Sequence, residues 1–270
     1  MYATLRYQNN KDYWTKRWTA IPADEAMQNK DAYPLKYALM TVHSPEEKTL
    51  EAGCGNGRVV RHFKENGRHI IGMDFIAEAI DKLKEADPEL DVETGDITNL
   101  RYEDASFDNI LAFGLYHNLQ GEMLERAMSE TVRVMKPGGR LCASFRADNW
   151  ANRINDWHAN YKARKNSGDD ITKDSPKEFH KLNLTEKEFE GLVTRHGLQT
   201  LKLMYVVNMP FLYKFRLFRK NEHKDFNESK GRREGYLLSP FGGWLQRCLM
   251  RYLPSKFCNI YVIIAEKANA

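Results

Sequence analysis

Cysteine, proline and glycine are all sparse in this chain, at 4, 9 and 17 of 270 residues. Such counts exclude a collagen-like repeat, a low-complexity chain and a disulfide scaffold. Cys54, Cys142, Cys248 and Cys258 include no pair at the spacing of a zinc site, and no His cluster accompanies them. No metal is therefore expected, and the thiols read as reduced and mostly buried. No apolar run approaches the ~18–20 residues that span a bilayer. Met1–Trp18 has no apolar h-region, so no secretory signal is expected. What is left is a cytoplasmic globular protein, either one large domain or one domain with a substantial insertion.

Charge of one sign is also scarce overall, since 41 Lys and Arg face 37 Asp and Glu. The balance is uneven along the chain. Residues 201–270 hold 13 basic and 5 acidic side chains, whereas residues 1–200 hold 28 and 32. A basic C-terminal stretch of this kind suits an anionic partner.

The pattern of apolar residues orders the elements. The first fifty residues read as helical, with Tyr13, Trp14 and Trp18 at helical spacing. Lys48–Ala52 then reads as a first strand, His69–Met73 as a second, Leu90–Thr94 as a third, Phe107–Phe113 as a fourth and Leu141–Phe145 as a fifth. Helices are predicted between them over Arg58–Lys64, Ile76–Ala86 and Gly121–Lys136, the last stopped by Pro137-Gly138-Gly139. Asp148–Lys181 shows no clear period. Thr185 and Glu188 form a capping box for a helix ending near Gly197, and strands six and seven follow at Leu198–Val207 and Phe257–Glu266. About fifty residues separate those last two strands, far above the ~4–6 of an ordinary connection. Phe211, Leu212, Phe215 and Phe218 predict one face of an amphipathic helix within them. Alternating strands and helices imply right-handed crossovers and a doubly wound, mostly parallel α/β sheet.

The chemistry begins at Glu51-Ala52-Gly53-Cys54-Gly55-Asn56-Gly57. Glycines at alternate positions turn the chain sharply off the first strand, at the strand end where open α/β sheets bind ligands. Asp74 closes the second strand, where a carboxylate accepts hydrogen bonds from ribose hydroxyls. Asp96, in Gly95-Asp96-Ile97, follows the third strand, where a carboxylate accepts from an adenine amino group. Phe113-Gly114 ends the fourth strand, at the switch point. A dinucleotide fingerprint would need Gly or Ala three residues after Gly55, where this chain has Arg58, so an NAD(P) oxidoreductase is the weaker alternative.

These motifs, together with Phe107-Asp108 and Arg133–Leu141, resemble the class I S-adenosylmethionine-dependent methyltransferases over about residues 48–146. The resemblance implies a seven-stranded Rossmann-like methyltransferase fold with S-adenosylmethionine as cofactor, and three segments. Residues 1–47 would be an N-terminal helical lid and 48–146 the cofactor-binding core. Residues 147–270 would supply acceptor-side segments, a helical insertion at about 208–255 and the last strands. Glu51 and Gly53–Gly57 would surround the methionine part, Asp74 would hold the ribose, Asp96 the adenine, and Phe113-Gly114 would line the reacting end, with Phe75, Gly95 and Ile97 also cofactor-binding. Tyr13 and Trp18 would reach the cofactor from the lid, where an aromatic face suits a sulfonium.

His117, just past the fourth strand, is the candidate general base, with Tyr116 beside it as a second candidate; a loop histidine bonding backbone is the bland alternative for His117. Asn118, Arg146, Trp150, His158 and His180 are weaker candidates for acceptor contact. The strand-four turn is Phe113-Gly-Leu-Tyr116 rather than an Asn/Asp-Pro-Pro-aromatic motif, which argues against exocyclic amines of nucleic acid; no nucleic-acid partner is expected. The expectation is transfer to an O or N atom of a small molecule, a sugar or other polar biosynthetic intermediate, with a phosphate-bearing acceptor as one option. A non-catalytic cofactor-binding regulatory module is the alternative from another class. Lys214, Arg216, Arg219, Lys220, Arg232 and Arg233, interleaved with Phe211, Phe215, Phe218 and Phe226, predict either a phosphate grip or contact with an anionic membrane.

Overall fold

A computed structural model describes residues 1–7, 9–21, 26–166, 172, 175–225, 231 and 235–269. Its main sheet has seven strands: β2 (Thr49–Ala52), β3 (Ile70–Asp74), β4 (Val92–Thr94), β5 (Phe107–Ala112), β6 (Met135–Arg146), β8 (Leu198–Val206) and β9 (Ile260–Lys267). Their order is β4-β3-β2-β5-β6-β9-β8. The β2–β3, β3–β4, β2–β5 and β5–β6 pairs are parallel, while β9 runs antiparallel between β6 and β8. The order reverses between β2 and β5, so the crevice opens at the carboxyl ends of those two strands. The doubly wound, mostly parallel fold expected from the sequence is the fold observed.

Helices cover both faces. α2 (Leu35–Thr41), α3 (Arg58–Glu65) and α4 (Ala77–Ala86) pack Leu35, Val59, Phe63, Ile80 and Leu83 on one side, against Leu111 and Cys142. α5 (Gly121–Val134) and α7 (Glu186–Arg195) pack Leu124, Met128, Phe189 and Val193 on the other, against Ile110 and Ala143. Neighbouring strand residues Ile110 and Leu111 serve opposite cores, as the alternation of a pleated strand requires. The capping box of α7 forms as expected, with Thr185 Oγ1 and Glu188 each bonding the other's backbone N–H.

Four expectations fail for identifiable reasons. The first fifty residues are not all helical: β1 (Tyr2–Arg6) pairs antiparallel with β7 (Glu178–Asn183) in a separate two-stranded ribbon, ahead of α1 (Asn10–Ala20). The stretch without a clear period holds α6 (Trp150–Asn166) as well as β7. The helix before Pro137 ends at Val134, because Met135 already pairs with Phe107 and Pro137–Gly139 lie within β6. Phe211, Leu212 and Phe218 lie in two 3-10 turns, Phe211–Lys214 and Arg216–Phe218, with Phe215 extended between them, rather than on one helix face. Phe211 instead packs edge-on to Trp150 and Phe257, and the insertion's long helix is α8 (Pro240–Tyr252). Phe226, Arg232 and Arg233 lie outside the described residues.

Candidate cofactor and acceptor site

The turn from β2 into α3 is held by its own backbone. Gly53 and Cys54 N–H both donate to the Met73 carbonyl, and Gly55 N–H donates to Asp74 Oδ2 at 2.9 Å. Gly55 has φ +53° and lies against the six-membered edge of Trp18, so that a Cβ there would stand 2.8 Å from Trp18 Cζ2. Glycine is needed here on both counts. Asp74 Oδ1 accepts from Ile76 N–H at 2.9 Å, which fixes the carboxylate at the strand end. Burial pushes Asp74 up from the ordinary carboxylate range, against the opposing pull of these N–H groups.

Glu51 is the less satisfied of the two acids. It is 4% exposed, and its Oε2 has no hydrogen-bond partner among the described residues. Burial pushes its carboxyl up to about 8, opposed by the Arg58 charge and the Val60 N–H. An orphaned buried oxygen beside a glycine turn is a place for a donor supplied by a ligand. Cys54 and Asn56 are buried in the same turn, the Cys54 thiol pushed well up by burial and by Asp74 and Glu51. Just past β4, Asp96 Oδ1 accepts from Thr98 N–H and Oγ1 at 2.8 Å each, Ile97 is buried and Phe75 is exposed under Lys11.

α1 closes this end. Lys82 of α4 donates to the carbonyls of Trp18, Thr19 and Ile21, clamping the last turn of α1 over the crevice. Trp14 stacks on Trp18 at 5.5 Å and donates to Asn118 Oδ1 at 3.3 Å, tying α1 to the loop after β5. Tyr13 faces elsewhere, edge-on to His180 at 5.3 Å, so it joins the ribbon side of the crevice. Just past β5, Gly114 N–H donates to Ser144 Oγ at 2.8 Å, Tyr33 Oη meets the same hydroxyl at 2.9 Å, and Phe113 lies edge-on to Tyr33.

The two acid–base candidates fare differently. Tyr116 is completely buried, with its hydroxyl on Thr131 Oγ1 at 2.7 Å; it is a core residue turned away from the crevice, and it is withdrawn as a catalytic candidate. His117 is 7% exposed and its Nδ1 is buried without a partner among the described residues. Desolvation, then Lys181 and Arg146, hold it well below the ordinary histidine range, so the ring is neutral at physiological pH. His158 and Trp150 are exposed. Arg146 and His180 lie inside, in a group with Lys181, Arg6 and Asp156, of which the last three are not singled out by the sequence. Only the alternation of Lys181 with buried His180 and Leu182 along β7 hints at it.

A mostly parallel sheet with a glycine turn at its switch point and acids at the carboxyl ends of the two neighbouring strands is an arrangement that suits a nucleoside-type cofactor. Comparison with known proteins narrows the class. A family model described as a methyltransferase domain matches residues 50–143. A demethylmenaquinone methyltransferase of Paenarthrobacter aurescens is 33% identical over 128 residues, 47% of this chain and 44% of the relative. A malonyl-[acyl-carrier protein] O-methyltransferase of Pectobacterium atrosepticum is 35% identical over 117 residues, 41% and 43% of the two chains. The match thus spans less than half the length of these curated relatives. Among solved structures, a SAM-dependent methyltransferase from Archaeoglobus fulgidus shares the fold at TM-score 0.56 and 16% identity, covering 97% of this chain and 96% of that one. A [4+2]-cyclase shares it too, at TM-score 0.54 and 17% identity, covering 100% and 98%. Residues 50–143 thus match a methyltransferase domain, and the fold is that of S-adenosylmethionine-dependent methyltransferases, whose cofactor is S-adenosylmethionine. The cyclase shows that the fold by itself does not choose the reaction.

Proposed function

We propose that this protein transfers the methyl group of S-adenosylmethionine to an O or N atom of a small polar molecule, a sugar or other biosynthetic intermediate. The observation that carries the cofactor half is the orphaned, buried Glu51 oxygen beside the Gly53–Gly57 turn, with Asp74 fixed behind it. Glu51 and the glycines would hold the methionine part, Asp74 the ribose, and Asp96 with Ile97 the adenine. The cofactor supplies an already activated methyl group, so the protein's share is to orient the acceptor and exclude water. α1, clamped by Lys82 over the turn, excludes water. His117, neutral and buried, offers a hydrogen bond to an acceptor and does not carry the second, imidazolium proton at neutral pH.

The basic insertion is proposed to rest on an anionic membrane surface. Leu217, Phe241 and Trp244 are exposed at 84%, 61% and 53%, with Arg216, Lys220 and Arg247 beside them in sequence and also exposed. Apolar side chains interleaved with cations suit an anionic lipid interface. No helix among the described residues is long and apolar enough to cross a membrane.

Isothermal titration with S-adenosylhomocysteine, S-adenosylmethionine and NADPH tests the cofactor, and release of S-adenosylhomocysteine across an acceptor library tests the transfer. Saturable binding of the first two with turnover on some acceptor is expected. Binding of NADPH alone contradicts the proposal. Pelleting with phosphatidylserine vesicles that is lost at high salt is expected for the insertion, and its absence at low salt contradicts that part.

A further inference from the structure

The ribbon places a second group of charges across His117 from the glycine turn. β1 and β7 pair with Thr4 opposite Lys181, which sets both side chains on one face. Asp156 of α6 lies against that face, its side chain 3% exposed. It accepts from Thr4 Oγ1 at 2.8 Å, from Arg146 Nη2 at 2.8 Å and from Arg6 Nη2 at 3.5 Å. Lys181 has no ion pair among the described residues; its Nζ lies 5.7 Å from the Trp14 ring centre, on α1. The Nε atoms of Arg6 and Arg146 are buried without partners among the described residues.

Among the described residues, one carboxylate therefore answers three cations. Like charges gathered where water is partly excluded are costly unless a counter-ion joins them, and a purely structural ion cluster would be closer to balance. We infer that Arg6, Arg146 and Lys181, arranged around Asp156, receive a carboxylate or phosphate group of the acceptor. Arginine forks and a lysine point charge suit either anion. The inference rests on the methyltransferase reading for the word acceptor; the anion site itself does not depend on it.

The protonation of Lys181 supports the assignment. Burial, then Arg146, pushes it down to about 7, with Arg6 and Arg17 acting in the same sense and Asp156 against them. His117 and His180 on the same side are also held low, His180 at about 3. An arriving anion restores the Lys181 charge, so binding takes up a proton and weakens as pH rises through the Lys181 range.

The test is titration of the S-adenosylhomocysteine-loaded protein with benzoate, phenyl phosphate and uncharged benzamide. At least one anion is expected to saturate while benzamide does not, and the tighter of the two anions identifies the group. Lys181→Met and Arg6→Met are each expected to weaken that anion about tenfold, the worth of a charge-assisted hydrogen bond. Affinity for S-adenosylhomocysteine should stay unchanged in both. The Arg6 side chain is 26% exposed, so its variant remains informative should Lys181→Met fold poorly. Benzamide binding as well as the anions, or anion binding unmoved in both variants, overturns the inference. Anion binding without S-adenosylhomocysteine binding removes the cofactor reading and leaves this site; S-adenosylhomocysteine binding without anion binding does the reverse.

Discussion

The two ends of the crevice carry opposite charge, and in both the charge is inadequately paired. At the glycine turn, burial raises Glu51 to about 8 and also raises Asp74. Across His117, burial and neighbouring arginines lower Lys181 to about 7. In contrast, the ion pairs that only hold the fold together shift the other way. Glu130 is held below its ordinary value by Arg133, and Asp87 by Lys64. Partners that stabilise the charged form mark structural pairs, whereas shifts toward the neutral form mark places waiting for an opposite charge. The acidic end suits the cationic part of a cofactor, and the basic end suits an anionic acceptor.

The strongest way to separate the ends is steric. Gly55→Val adds a side chain at φ +53° against Trp18, and the strain and displacement should weaken S-adenosylhomocysteine about 100-fold or more. Benzoate binding at the far end should persist; equal loss of both in titration would show that the ends are not independent.

A smaller effect comes from neutralising each end in turn. The native Glu51 keeps its proton between its ordinary value of 4.5 and about 8, while the unfolded chain releases it, so stability from this group is lost as pH rises through that window. Glu51→Gln should therefore raise the melting temperature of the ligand-free protein increasingly up to about pH 8, while weakening the cofactor about tenfold for the lost charge. Lys181 has the opposite sign. The native side chain gives up its proton above about 7 whereas the unfolded chain holds it to 10.5, so stability rises with pH over that range. Lys181→Met should stabilise most below about pH 7. Melting scans of the two variants across pH check this, and parallel rather than opposed trends would break the comparison.

His117 sits between the ends and should matter least. Because its ring is already neutral, His117→Ala should lower the maximal rate less than about tenfold, the loss of one neutral hydrogen bond. The pH–rate profile between neutral and mildly basic pH should be unchanged. A lost ionisation in that profile would restore His117 as the base.

The acidic end is legible in the sequence because it is local: Glu51 and Gly53–Gly57 form one turn, and Asp74 and Asp96 each end a strand whose period is plain. The basic end is not. Arg6, Arg146, Asp156 and Lys181 come from four elements, two of them paired in a ribbon between the N-terminus and residue 178 onward, with no local signal for their partnership. Tyr116 and His117 look equivalent as neighbours, and only the hydroxyl's bond to Thr131 on α5 separates core from crevice. In the insertion, helical spacing of Phe211, Phe215 and Phe218 misleads because tertiary stacking on Trp150 and Phe257 claims Phe211.

Proton linkage tests the opposition of the two ends most directly. The protein is titrated at about pH 7.5 with S-adenosylhomocysteine and, separately, with benzoate, in buffers of different ionisation enthalpy. The ligand ammonium should draw the proton from Glu51, and benzoate should bring one to Lys181. Proton release with the first ligand and uptake with the second is the predicted result; the same sign for both, or no exchange with either, would contradict it.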